Sequence, residues 1–215
     1  MMTRGYKTAV PTMTDTGINS AAPRTPKDLY FDTAIGMNVA KILPGEYLAQ
    51  SRELVISTVL GSCVAACLFD RGSGVFGMNH FMLPGGSGQA GKSMRYGAYA
   101  MEVLINEMFK LGAHRKRLEA KVVGGGAVLQ DMKMLNIGER NAAFVVDYLK
   151  TEGIPILSSD LEGRHARKIY LYGATGRVRV RTLNSLKNDT VPRRDAEYLA
   201  RLHEVTVAGE VSLFK

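Results

Sequence analysis

Apolar and polar positions follow two rhythms along this chain, and the places where one gives way to the other mark its elements. "ELVISTVL" (53–60) is a β-branched apolar run, which predicts a buried strand stopped by Gly61. "VAACLFD" and "VFGMNHFML" read as two further strands, with "RGSG" as the turn between them. The period then changes. In "SMRYGAYAMEVLINEMFKLG" the residues Ala100, Val103, Leu104, Met108 and Leu111 fall on one helical face, with Ser93 as a cap and Gly112 as the stop. A strand, "LEAKVV", leads into "GGGAVL". A second helix follows, with Asn136 and Glu139 at capping-box spacing, a stripe of Ala142, Val145, Val146 and Leu149, and Gly153 at its end. "RKIYLY" and "RVRVRTL" alternate on either side of "GATG" and predict a hairpin. "VPRRDAEYLARLHEV" predicts a short amphipathic helix with Pro192 in its first turn.

Strands and helices mix without strict βαβ alternation, which favours a layered α+β domain over a doubly wound one. No internal repeat is visible. Residues 1–28 are rich in Thr, Ala, Pro, Gly and Ser without apolar periodicity and are expected to form a flexible tail, leaving 29–215 as a single domain with a C-terminal helix. No apolar run is long enough to span a bilayer, and the N-terminus lacks the apolar core of a secretory signal, so the expected location is the cytoplasm. The formal net charge of +8 draws the molecule towards acidic partners. Its basic residues, as in "HRKR" and "RVRVR", are scattered and not interleaved with stacking aromatics, so a solvated basic face is favoured over a nucleic-acid site.

Candidate chemistry centres on "LGSCVAACLFD". In an extended segment Cys63 and Cys67 are about 13 Å apart, too far to form a disulfide. Zinc needs three or four ligands, whereas this chain has one C-x3-C, no second pair and isolated histidines at 80, 114, 165 and 203. Cys67, inside "AACLF", reads as core filler. Cys63 differs because Gly61 breaks the strand just before it. A thiol presented after such a bend sits beside backbone N–H groups able to bind an oxyanion, and a neighbouring base makes it a nucleophile. His80 in "GMNHFMLP" follows the "RGSG" turn and is the obvious base. On the residues alone, a Cys63–His80 pair and a structural histidine both stay open.

Seven ordered segments carry a family resemblance: "AKILPGEYL", "STVLGSCVAACLFD", "GMNHFMLP", "RYGAYAMEVLINEM", "EAKVVGGGAVL", "NIGERNAAFVVDYL" and "GIPILSSDLEG". From about residue 28 to the closing "GEVSLF" the chain resembles the CheD family of chemoreceptor glutamine deamidases. The resemblance implies a cytoplasmic enzyme of bacterial chemotaxis that converts glutamines on receptor cytoplasmic helices to glutamates with release of ammonia. It implies a layered α/β/β sandwich with mixed sheets, similar to the catalytic domain of the cytotoxic necrotising factors, and no metal or cofactor.

The family's cysteine follows Leu-Gly-Ser, which places it at Cys63, and its histidine falls at His80. A family threonine six positions before the cysteine corresponds to Ser57, and strand parity with Gly61 and Cys63 supports Ser57 over Thr58. On this basis the backbone of Ser62 and Cys63 is expected to hold the oxyanion. Gly124, Gly125 and Gly126 are expected to approach the site closely and line the substrate slot; "VVGGGAVL" lacks the ending of a phosphate loop. Asn79, next to His80, points to the opposite face by parity and is left out. The implied partners are methyl-accepting receptors and a CheC-type phosphatase, with no nucleic acid and no membrane insertion. Two rival readings use the same residues: a receptor glutamyl methylesterase, and a non-catalytic module that docks on the receptor or the phosphatase.

Overall fold

A computed structural model of the chain describes residues 29–83, 90–128, 135–183 and 190–204. The tail expected at 1–28, the closing "GEVSLF", and the side chains of Ser93 and Asn136 lie outside the described residues. In chain order the strands are β1 (Leu29–Asp32), β2 (Met37–Lys41), β3 (Tyr47–Gln50), β4 (Val55–Leu60), β5 (Val64–Asp70), β6 (Val75–Asn79), β7 (Leu118–Gly124), β8 (Ile156–Leu161), β9 (Ala166–Tyr172) and β10 (Arg177–Leu183). The helices are α1 (Ala90–Lys110), α2 (Leu135–Thr151) and α3 (Thr190–Glu204).

The strands form two five-stranded sheets, ordered β1-β2-β4-β9-β10 and β3-β6-β5-β7-β8. Each sheet is mixed, because β2 runs parallel to β4 and β7 runs parallel to β8 while the other neighbours are antiparallel. Strand β5 shows how the layers arise. All of it is buried, and its side chains alternate between two cores. Ala65, Cys67 and Phe69 join Ile56, Leu60, Ile169 and Leu171 between the sheets. Val64, Ala66 and Leu68 join Met101, Leu104 and Met108 of α1 and Val145 and Leu149 of α2. Helices, second sheet and first sheet therefore stack as the expected α/β/β sandwich. Leu199 and Leu202 carry α3 into the inter-sheet core instead.

The predicted hairpin is present, with β9 and β10 paired from Ala166↔Leu183 to Tyr172↔Arg177. Three details differ from expectation. Helix α1 begins at Ala90, so Ser93 lies within its first turn, and its buried face is Met101, Leu104, Ile105 and Met108, with Leu111 at 43% exposure. Small apolar residues at Ala100 and Val103 blur the boundary of that stripe. On α2, Phe144 and Tyr148 are buried and Val146 is not, because the Phe144 ring packs edge-on against Phe81. Strand β6 ends at Asn79, and Phe81 beyond it makes an isolated bridge with Val64.

Candidate active site

The chain passes from β4 in one sheet to β5 in the other through Gly61-Ser62-Cys63. Every carbonyl of this turn is tied down on one side. Gly126 N donates to Gly61 O at 2.9 Å, Asn141 Nδ2 to Ser62 O at 2.8 Å, and Gly125 N to Cys63 O at 2.8 Å. Asn141 is fixed in turn by accepting from Leu83 N at 2.8 Å. With the carbonyls held, the Ser62 amide is turned the other way and donates to a side chain of α3, Asp195 Oδ2, at 2.8 Å. The glycines 124–126 thus lie against the backbone of the Cys63 turn and brace it. A Cβ at Gly124, where φ is +122°, would run into the Cys63 carbonyl.

His80 is placed by its backbone and its ring. His80 N donates to Glu46 O at 2.9 Å and Gly45 N donates to His80 O at 2.7 Å. The Val64↔Phe81 bridge, in register with Cys67↔Met78, puts His80 opposite Ala65 and Met82 opposite Cys63. Cys63 and His80 are therefore diagonal neighbours on the same face, the one that looks into the inter-sheet layer. The ring's Nδ1 lies 2.7 Å from Thr58 Oγ1, and Thr58 Oγ1 donates its only proton to Ile42 O at 2.8 Å. A hydroxyl so committed can only accept from the ring, so Nδ1 carries the hydrogen and Nε2 keeps a lone pair. That Nε2 is buried and has no hydrogen-bond partner among the described residues.

The hydroxyl at the histidine belongs to Thr58 and not to Ser57, which corrects the parity argument. In β4 the even positions Ile56 and Leu60 face the inter-sheet core, whereas in β5 the odd positions Ala65 and Cys67 do. Parity reverses across Gly61-Ser62, where the chain changes sheets. Ser57 is buried on the other face, level with Tyr170 and Lys41, where Val39 and Val55 cluster with Tyr170. For Asn79 parity works: its side chain turns to α1, donating to Ala100 O at 3.0 Å, and accepts from Ala66 N at 2.9 Å. His114 and His165 are exposed.

Cys63 and His80 are both fully buried. Burial, then the negative charge of Asp195, pushes the Cys63 thiol well above its ordinary pKa. Burial, then the cation of Arg194, holds the His80 imidazole well below its own. The pair therefore rests as neutral thiol and neutral imidazole. Cys67 sits in the inter-sheet core, pushed up to about 12 by burial, and both cysteines are free thiols.

What covers the pair is α3, whose part sequence reasoning missed. Asp195 Oδ2 also accepts from Ser62 Oγ at 3.0 Å, and Cys63 Sγ lies 3.9 Å from Asp195 Oδ1. Arg194 donates to Val59 O at 2.7 Å, and the hydroxyls of Tyr198 and Tyr96 are hydrogen-bonded to each other. The signal was present in the sequence: Val191, Asp195, Leu199 and Leu202 share one helical stripe, and an acid in the middle of an apolar stripe is unusual.

A family model described as CheD chemotactic sensory transduction matches residues 82–182, starting just past His80. A protein of Thiobacillus denitrificans named probable chemoreceptor glutamine deamidase CheD is 54% identical over 87% of this chain and 95% of its own length. One of Dechloromonas aromatica with the name probable chemoreceptor glutamine deamidase CheD 1 is 52% identical over 86% of this chain and 93% of its own. Among solved structures, a DUF152 protein of Neisseria meningitidis is 13% identical with a TM-score of 0.36 over 60% of this chain and 64% of its own, too slight a likeness to bear on the fold. With half of all positions shared along nearly the whole length of these relatives, the chain belongs to the CheD family.

Proposed function

We propose that this chain is a chemoreceptor glutamine deamidase in which Cys63 is the nucleophile, His80 the general base and Thr58 the residue that positions His80. The reaction follows from the relatives' name, and no helix among the described residues is long and apolar enough to cross a membrane. One observation carries the assignment of roles: Thr58 fixes the tautomer that leaves His80 Nε2 with a free lone pair on the face shared with Cys63. Because both groups start neutral, the proton passes from sulfur to Nε2 as sulfur attacks the carboxamide carbon. The Ser62 N–H, with that of Cys63 beside it, receives the developing oxyanion, a contribution of roughly 3–4 kcal/mol per good donor. His80 then protonates the departing ammonia, and water hydrolyses the thioester to glutamate. The CheC-type phosphatase as a second partner follows from the family resemblance alone.

The test is to incubate the protein with receptor cytoplasmic fragments and read side-chain masses. Each converted glutamine gains about 1 Da, and conversion should stop in Cys63→Ala. Conversion that persists in that variant removes Cys63 from the mechanism. Loss of methyl groups without amide conversion would favour the esterase reading, and no mass change the binding module.

A further inference from the structure

A nucleophile that is fully buried cannot meet a protein side chain, so whatever covers it is part of how the site works. The cover is α3. Its inward stripe is Val191, Asp195, Leu199 and Leu202, with Tyr198 half-buried alongside. It lies close to two positions that carry no side chain. A Cβ at Gly45 would stand 3.2 Å from the Tyr198 ring, and one at Gly61 would collide with the Asp195 carboxylate and stand 3.0 Å from Val191 Cγ1. The cradle is completed by Tyr96, which bonds Tyr198, and by Val128, whose Cγ2 would be 2.9 Å from a Cβ at Gly61. Such bare backbone is what a closely docked helix requires.

The chemistry of Asp195 says what the helix imitates. A carboxylate beside the sulfur opposes formation of the thiolate, and it does not bond the imidazole, whose Nε2 has no partner. It is therefore not a catalytic helper. One of its oxygens accepts from the Ser62 N–H at 2.8 Å, where an oxyanion would sit, and the other lies 3.9 Å from Cys63 Sγ. This is the arrangement of a carboxylate product that has just left the enzyme's sulfur. Resting on the deamidase reading, we infer that α3 occupies the groove that receives the substrate helix and holds Asp195 where the product carboxylate forms. The groove thus selects an amphipathic helix whose apolar stripe is interrupted by one glutamine, with apolar partners at the spacing of Val191, Tyr198, Leu199 and Leu202 around Asp195. Such a helix enters only when α3 leaves.

If α3 stands in for a substrate, it can be turned into one. In full-length Asp195→Gln and Asp195→Asn, Cys63 would add to the carboxamide carbon of residue 195 and ammonia would leave with the proton held by His80. Water would then cleave the thioester. Net, amide and water give carboxylate and ammonium, and the thiol is restored. Peptide mass mapping should show a gain of about 1 Da at position 195 in at least one variant, absent when Cys63→Ala is added. No Cys63-dependent gain in either, in preparations that do convert receptor fragments, overturns the role of α3 and leaves the deamidase reading standing.

A second measurement does not depend on activity. In full-length Leu199→Glu/Leu202→Glu, iodoacetamide should modify Cys63 roughly tenfold faster or more than in the unaltered chain, with Cys67 still protected. A synthetic peptide of residues 190–204 should restore the slow rate. Cys63 that stays as protected as before overturns the proposal even if receptor fragments are converted. Should both cysteines react, reporting unfolding, the Asp195→Gln mapping decides.

Discussion

Strand β5 has a buried carboxylate at each end, and the two are held in opposite ways. At the far end Asp70 belongs to the strand itself and closes the turn to β6. It accepts from Gly72 N at 2.8 Å, Ser73 N at 3.3 Å and His114 N at 2.8 Å. Arg117 adds a forked pair, Nε to Oδ1 and a terminal nitrogen to Oδ2, each at 2.8 Å. The guanidinium foremost, then the amides, hold the Asp70 carboxyl well below the ordinary carboxylate range. At the near end Asp195 is delivered by a helix distant in sequence, and its cation, Arg194, reaches it with one nitrogen at 3.3 Å. The buried nitrogens without a partner among the described residues, His80 Nε2 and Arg194 Nε, are both at that end. A carboxylate held by many donors, with no neighbour left unsatisfied among the described residues, is a strut. One that leaves its neighbours unsatisfied marks a place where another ligand belongs.

If that contrast is right, the two ends should fail in different currencies. The largest effect is expected at the near end, on rate. His80→Ala should lower receptor-fragment conversion roughly thousandfold; emptying a fully buried site and breaking the bond to Thr58 costs some stability, but the variant should still unfold cooperatively. Conversion kept within about tenfold by the folded variant would make His80 a strut after all. At the far end Asp70→Asn should lower unfolding free energy by about 2–3 kcal/mol in urea titration. The alkylation rate of Cys63 should stay the same; a faster one would mean the two ends are coupled.

Next in size is the hydroxyl that fixes the imidazole. Thr58→Val should lower kcat roughly tenfold to hundredfold and alter the pH–rate profile, because the Nδ1–H tautomer is no longer enforced. Thr58→Ser should restore most of the rate. Ser57→Ala should stay within about twofold, its side chain being on the opposite face of β4. The reverse ranking would return the role to Ser57.

The near end is also where sequence reasoning reached its limit. Cys63 and His80 could be singled out as candidates because a glycine break after a buried strand and a histidine beyond a tight turn are local features, but on the residues alone their pairing stayed open and only the family resemblance chose it. Thr58 was not, since its orientation depends on where the chain leaves one sheet for the other, and alternation cannot be counted through a bend. The glycines 124–126 were legible as a close approach, but what they approach, the carbonyls of Gly61 and Cys63, is set by the pairing of β7 with β5. Strand β8 escaped because its middle residues Leu157, Ser158, Ser159 and Asp160 are all exposed, so no alternation marks it. Asp195 was readable as an anomaly of the α3 stripe but not as an occupant of the site, because only the fold brings it to Ser62.

The smallest expected effect is on stability against acid, and it separates the two ends by pH. His80 is buried with its folded-state pKa well below the ordinary 6.5, so the unfolded chain takes up this proton first. Its contribution is complete above 6.5 and is lost as pH falls below that value, at about 1.4 kcal/mol per pH unit at most. Asp70 is lowered in the same sense from 3.8, so its contribution is complete above 3.8 and fades only below it. Urea titrations from pH 8 to 2 should therefore show one decline setting in below about 6.5 and a second setting in below about 3.8. His80→Gln should erase the upper one alone, because glutamine takes up no proton in that range, and Asp70→Asn the lower one alone. An upper decline that survives His80→Gln would mean that another group near α3 takes up the proton. In that case the neutral imidazole would no longer distinguish the frustrated end of β5 from the satisfied one.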